Sequence, residues 1–137
     1  MSLVLDSSVA LSWFFKDEQT EISRVLLERV AAEAAVVPSL WRYEIANALQ
    51  TAVRRQRIDT AFRDRALTNL AALPIEIDPE CDDEAWAAST TLAERHRLTV
   101  YDAAYLELAQ RRSLPLATFD TELIAAAGEE MVPLAAM

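Results

Sequence analysis

Four acidic residues stand where packing alone does not call for a carboxylate: Asp6, Glu44, Asp102 and Asp120. Asp6 ends the apolar run Leu3-Val4-Leu5, and Asp120 follows the apolar run from Leu114 to Ala117. Asp102 opens a helical stretch, and Glu44 interrupts the apolar face of another. Brought together, they would form an acidic pocket. Two carboxylates ~4 Å apart repel by about 4 kcal/mol at an effective dielectric near 20, whereas a whole domain is stable by only ~5–15 kcal/mol. Protonation or a bound cation must relieve such crowding. Carboxylate oxygens suit Mg2+ or Mn2+. His96 is the only histidine and Cys81 the only cysteine, so no zinc set exists. The chemistry expected of the four acids is metal-dependent hydrolysis of a phosphodiester.

Metal-free alternatives are poorly equipped. One histidine excludes a two-histidine acid/base ribonuclease, Lys16 is the only lysine, and Ser7 and Ser8 have no Ser-His-Asp arrangement around them.

Each acid also has a structural reading. Asp6 can cap a helix starting at Ser7 or Ser8, and Asp120 one starting at Thr121. Thr99-Val100-Tyr101-Asp102 resembles a capping box, with Asp102 reaching back to the Thr99 backbone. A carboxylate has enough acceptor sites to cap and ligate at once. Glu44 resists this reading best. It lies three residues from Trp41 and four from Ala48, on the apolar stripe of its helix, and Glu is seldom buried unless paired. The competing explanation is a buried pair with Arg42 or Arg54. His96, between Arg95 and Arg97, reads as a solvated helix-end residue. Glu107, five residues past Asp102, reads as a solvated acid or an outer support of the cluster.

The elements that must position these residues follow from the apolar pattern. Leu3 to Leu5, Ala35 to Val37, Ile75 to Ile77, Leu116 to Thr118 and Met131 to Pro133 are short continuous apolar runs. Strands of a parallel sheet covered on both faces have this character. Between them, amphipathic stretches predict helices over Ser7 to Phe15, Thr20 to Ala32, Ser39 to Arg55, Asp59 to Ala72, Asp82 to Arg95, Tyr101 to Arg112 and Thr121 to Ala127. Gly128 is expected as the last C-terminal cap. Strands alternating with helices predict an open parallel α/β sheet. Sites in such sheets form beyond the carboxyl ends of the strands, where Asp6 and Asp120 fall.

With 137 residues and a hydrophobic fraction of 53%, the chain suits one domain with one core. The net charge of -9 gives no global attraction to nucleic acid. RNA would need local basic patches or bound cations. The candidate patches are Arg54, Arg55 and Arg57; Arg63 and Arg65; Arg95 and Arg97; and Arg111 and Arg112, each of which can equally serve a helix C-terminus. Trp13-Phe14-Phe15 reads as core or as a partner surface. No apolar run approaches the ~20 residues needed to span a membrane, and a lone cysteine requires no oxidising compartment, so a cytoplasmic location is expected.

Taken with their order, these segments resemble the PIN-domain nucleases, and among them the VapC-type toxins of bacterial toxin–antitoxin modules. Val4-Leu5-Asp6-Ser7-Ser8-Val9 resembles the family's first acidic segment. Val37-Pro38-Ser39-Leu40 followed by Glu44-Ile45-Ala46-Asn47-Ala48-Leu49 resembles the second, Tyr101-Asp102-Ala103-Ala104-Tyr105-Leu106 the third, and Leu116-Ala117-Thr118-Phe119-Asp120 the fourth. The resemblance implies a single PIN domain over residues 1–137, with a sheet of order 3-2-1-4-5 flanked by helices. It implies an Mg2+- or Mn2+-dependent endoribonuclease, a homodimer, and a cognate VapB-type antitoxin that blocks the site. It carries Asp6, Glu44, Asp102 and Asp120 over as the acidic, metal-holding site, with Thr118 beside it and Ser7 supporting Asp6. A non-catalytic PIN-like module that binds a protein partner is the alternative of a different class.

Overall fold

The computed structural model describes residues 2–135. The ends of the expected 1–137 domain therefore lie outside the described residues.

The sheet is parallel throughout. Its strands are β1 (Leu3–Leu5), β2 (Ala35–Val37), β3 (Ile75–Ile77) and β4 (Leu116–Ala117), in the order β3-β2-β1-β4. β1, β2 and β4 are buried along their whole length, as their unbroken apolar runs require, while β3 at the edge is only partly covered. The fifth strand expected at Met131 to Pro133 does not form. One parallel bridge between Leu116 and Leu134 stands at its place in the order. Pro133 has no N–H to give to a ladder, and Met131 has a left-handed φ of 59°. Pairing is thus reduced to the rungs from Leu116 N–H to Pro133 O and from Ala135 N–H to Leu116 O, both 2.9 Å.

The helices are α1 (Ser7–Ser12), α2 (Glu21–Glu33), α3 (Leu40–Arg54), α4 (Thr60–Ala71), α5 (Cys81–Glu84), α6 (Ala88–His96), α7 (Val100–Arg112) and α8 (Thr121–Glu129). The expected cap at Asp120 holds, accepting from the backbone N–H of Leu123, and Asp59 caps α4 by accepting from that of Phe62. Three expectations need correction. The helix from Ser7 ends at Ser12, ahead of a separate 3-10 turn at Lys16–Glu18. The stretch from Asp82 to Arg95 is two helices, broken where Ala87 leaves helical geometry at ψ -97°. There Thr90 Oγ1 donates back to Ala85 O at 2.7 Å, satisfying a carbonyl of the break, and Asp82 accepts from Ser39 Oγ at 2.8 Å. Gly128 lies inside α8, not past its end, and has no positive φ. The chain instead ends α6 and α7 on left-handed Arg97 and Ser113.

α7 is the central helix. Residues 103 to 109 are buried on every side. It packs on α6, α8, α5 and β1, which places its N-terminal Asp102 near the end of β1.

Two further side chains depart from expectation. The His96 ring is enclosed, not solvated. Its Nδ1 lies 3.1 Å from Glu129 and its Nε2 2.6 Å from Glu130, which also accepts from Arg95 and Gln110. Glu107 is buried and paired with Arg111 at 2.7 Å.

Candidate active site

Asp6 leaves β1 at its carboxyl end and is only 4% exposed. It occupies the N-cap position of α1, yet its side chain makes no cap hydrogen bond. Two hydroxyls hold it instead. Ser8 Oγ and Thr118 Oγ1 each donate to Asp6 Oδ2 at 2.7 Å. Each hydroxyl also accepts a backbone N–H from the segment after β4: Phe119 to Ser8 and Asp120 to Thr118, both 3.1 Å. Both hydroxyl protons are thus committed to one oxygen of Asp6, and the β4–α8 segment is tied to the end of β1.

Glu44 comes in from α3. It is partly buried, and its Oε1 accepts from Ser7 Oγ at 3.2 Å and from the hydroxyl of Tyr105 on α7. The expected support of Asp6 by the Ser7 side chain is therefore corrected, since that hydroxyl serves Glu44. Among the described residues no arginine pairs with Glu44, so the expected alternative of a pair with Arg42 or Arg54 does not form. Tyr105 is fully buried, and sequence reasoning missed it. Its only signal was a polar tip at an apolar position three residues after Asp102.

Asp102 and Asp120 complete the group. Thr99 Oγ1 caps α7 by accepting from the Asp102 N–H at 3.1 Å, which leaves the Asp102 carboxylate outside the expected box. Asp120 spends Oδ1 on the Leu123 N–H at 2.9 Å, so it caps while keeping a second oxygen.

The charges of the four acids act on one another. Burial pushes the Asp6 carboxyl above its ordinary range, against the hydroxyls of Ser8 and Thr118 that favour its charged form, and the charge of Asp120 adds to the rise. Burial raises Glu44 as well, with the charges of Asp6 and Asp102 added against the bonds from Tyr105 and Ser7. Asp102 is raised by burial and then by Asp120 and Asp6. Desolvation and like charge disfavour ionisation together, so the pocket asks for positive charge. Among the described residues no three His, Cys, Asp or Glu side chains form a group able to close around a metal ion. The donor set still fits Mg2+ or Mn2+ in kind. It is all oxygen, and Mg2+ commonly keeps several waters and takes only one or two carboxylates.

At least one arginine of each candidate patch is engaged elsewhere, while Arg54, Arg55, Arg65 and Arg97 pair with no carboxylate among the described residues. Arg57 pairs with Asp17 and lies over the Phe15 ring, and Arg63 pairs with Asp64. Arg95 pairs with Glu130, while Arg111 and Arg112 share Asp78. Phe15 is core, Phe14 and Trp13 are partly buried, and Trp13 Nε1 donates to Ser23 O at 2.9 Å.

Comparison with known proteins places this geometry. The PIN domain family matches residues 3–129. VapC ribonuclease Mb0985 of Mycobacterium bovis is 31% identical over 123 residues, covering 88% of this chain and 87% of that protein. Ribonuclease VapC3 of Pyrobaculum aerophilum is 32% identical over 129 residues, covering 90% and 92%. The crystal structure of PAE2754 from Pyrobaculum aerophilum superposes with a TM-score of 0.68 at 26% identity, covering 92% of this chain and 84% of that one. At 14% identity, VapBC2 from Rickettsia felis, solved bound to a DNA fragment from its promoter, shares the fold with a TM-score of 0.65 over 98% of both chains.

Proposed function

The chain belongs to the PIN-domain family, alongside the VapC ribonucleases, and from that premise we propose that it is a divalent-metal-dependent endoribonuclease toxin, a single PIN domain over residues 1–137 restrained by a VapB-type antitoxin. One observation supports the reading most: a buried carboxylate at the end of a central strand, held by two hydroxyls, with three more acids from three other elements within reach of its charge.

Asp6, Asp102 and Asp120 are the residues to hold Mg2+ or Mn2+, directly or through water, with Glu44 beside them. When bound, the cation supplies charge neutralisation at the phosphate and a water of lowered pKa. The chain's own residues supply the rest. Ser8 and Thr118 fix the Asp6 carboxylate through Oδ2. Ser7 and Tyr105 both occupy Glu44 Oε1, so Oε2 is the atom free to take a proton from an attacking water. Asp120 keeps one oxygen for the site while the other holds α8. A homodimer and a cytoplasmic location complete the proposal by resemblance; no described helix is long and apolar enough to cross a membrane.

The test is incubation of purified protein with total cellular RNA, with and without Mg2+ or Mn2+, followed by mapping of the ends. Asp6→Asn should abolish the metal-dependent cuts while keeping the fold, because Ser8 and Thr118 can still donate to the amide oxygen. Wild-type cleavage by that variant would remove Asp6 from the mechanism. Failure of the wild type to cut with either metal would leave the non-catalytic module.

A further inference from the structure

Two exposed aromatic side chains stand next in sequence to acids of the cluster. Tyr43 is 80% and Tyr101 65% exposed, although an aromatic ring is worth most to a protein when buried. Each immediately precedes an acid of the cluster, Tyr43 before Glu44 and Tyr101 before Asp102. Tyr101 and Tyr105 are four residues apart on α7, so they share a face with Cβ atoms ~5–6 Å apart. The Tyr105 hydroxyl is on Glu44. Helical side chains lean toward the helix N-terminus, so Tyr101 stands one turn above the Tyr105–Glu44 contact, at the solvent end of α7. On α3, Tyr43 is one residue from Glu44, about 100° around the helix, on the side away from buried Trp41 and Ile45. Each of the two helices joined by the Tyr105–Glu44 contact thus carries an exposed phenol ring next in sequence to an acid.

We propose that Tyr43 and Tyr101 form a base-stacking site that grips unpaired nucleotides of a single-stranded RNA beside the acids. This rests on the ribonuclease reading and adds to it how a chain of net charge -9 holds RNA at all. Phosphates meet repulsion at the acids, and Arg57, Arg63, Arg95, Arg111 and Arg112 are engaged with carboxylates of the chain itself. The base faces are the uncharged part of the ligand. They are open to a protein only where the strand is unpaired, and they stack on aromatic side chains with little regard to sequence.

The experiment measures fluorescence anisotropy of a labelled, 2′-O-methyl, mixed-sequence single strand in Mn2+, with the strand checked for intactness afterwards. Tyr43→Ala and Tyr101→Ala should each weaken binding roughly 5- to 100-fold, with unchanged circular dichroism because both rings are exposed. Tyr43→Phe and Tyr101→Phe should bind like wild type, since the ring and not the hydroxyl carries the contact. A second probe with abasic residues should bind wild type weakly and no longer distinguish it from the Ala variants. Wild type that ignores the probe, Ala variants that bind it normally, or an abasic probe held as tightly as the first would each overturn the proposal. Loss of affinity only for a peptide antitoxin would do so too and would mark the rings as a protein-binding surface. The two readings fail separately. Wild type that cuts cellular RNA while its Ala variants bind normally refutes the stacking site alone. Wild type that grips the probe through its tyrosines yet cuts nothing refutes the nuclease.

Discussion

Replacing Arg111 by methionine keeps most of an aliphatic stem and deletes one charge at the far end of the helix that carries Asp102 and Tyr105. The guanidinium lies 2.7 Å from Glu107, 3.0 Å from Asp78 and 3.3 Å from Glu80. Asp78 and Glu107 are 5% and 4% exposed, so water screens neither. Burial alone would push the Asp78 carboxyl up. The Arg111 hydrogen bonds, the Glu80 N–H and the Arg111 charge outweigh it and hold the group at about 2, against an ordinary 3.8. At ~1.4 kcal/mol per pH unit, that gap is worth about 2 kcal/mol of folding free energy at neutral pH. Glu107 loses the same partner. The variant should therefore lose ~3–5 kcal/mol, the cost of leaving buried charge uncompensated, and melt roughly 10–20 °C lower. The sign with pH is fixed. A depressed carboxyl stabilises the fold fully well above 3.8, and its contribution is lost as pH falls through about 2. In the variant Asp78 loses the Arg111 bonds and charge that hold its carboxyl down against burial, so it takes up a proton more readily and the deficit should shrink on acidification. Urea unfolding of both proteins at neutral pH and at about pH 4 measures this. A deficit below ~1 kcal/mol, or one indifferent to pH, would mean that Arg112, 3.3 Å from Asp78, already suffices and that the network behaves as a surface pair.

Other outcomes follow from the acid cluster. Glu44→Gln should leave metal-free thermal stability equal or higher and reduce the stabilisation by Mn2+; a marked metal-free loss with an unchanged Mn2+ shift would sink the crowding argument. Asp6, Glu44 and Asp102 are held above their ordinary values, first by burial, so their ionisation opposes folding. Wild type in chelator should then gain stability as pH falls from neutral toward the carboxylate range, and Mn2+ should erase the gain; melting curves that only decline would contradict this. Antitoxin affinity should weaken with ionic strength and with Asp102→Asn, as expected if a basic side chain enters the pocket. Calorimetry showing indifference to both would place that contact on apolar surface elsewhere.

The central strands were legible because β1, β2 and β4 are buried along their length and leave unbroken apolar runs. Asp6 and Asp120 stood out because they follow two of these strands, where sites in parallel sheets form. What escaped depends on distant partners. His96 and Glu107 look like surface charges along the chain; Glu130, 34 residues from His96, makes the enclosure of that ring tolerable, and Glu107 is covered because Arg111 bridges it to Asp78, 33 residues from that arginine. Ser7 and Ser8 were indistinguishable as letters. The turn of α1 sends one hydroxyl to Glu44 and the other to Asp6. Tyr105 hid among apolar neighbours on a helix buried all round. The fifth strand failed because Pro133 cannot donate, and the helix after Cys81 broke because that segment is anchored by Ser39 and Arg111.

The two hydroxyl clasps on Asp6 also set a schedule. Thr118 and Asp6 are 112 residues apart in the chain, and Ser8 and Phe119 are 111. On a ribosome, which delivers the chain from its N-terminus, Asp6 and Ser8 emerge together and well before Thr118 and Asp120. Until β4 docks beside β1, Asp6 lacks both the donor from Thr118 and the neighbouring Asp120, and the cluster is incomplete. A growing polypeptide therefore carries Asp6 long before its surroundings. The topology itself delays assembly of the cluster until β4 has been made.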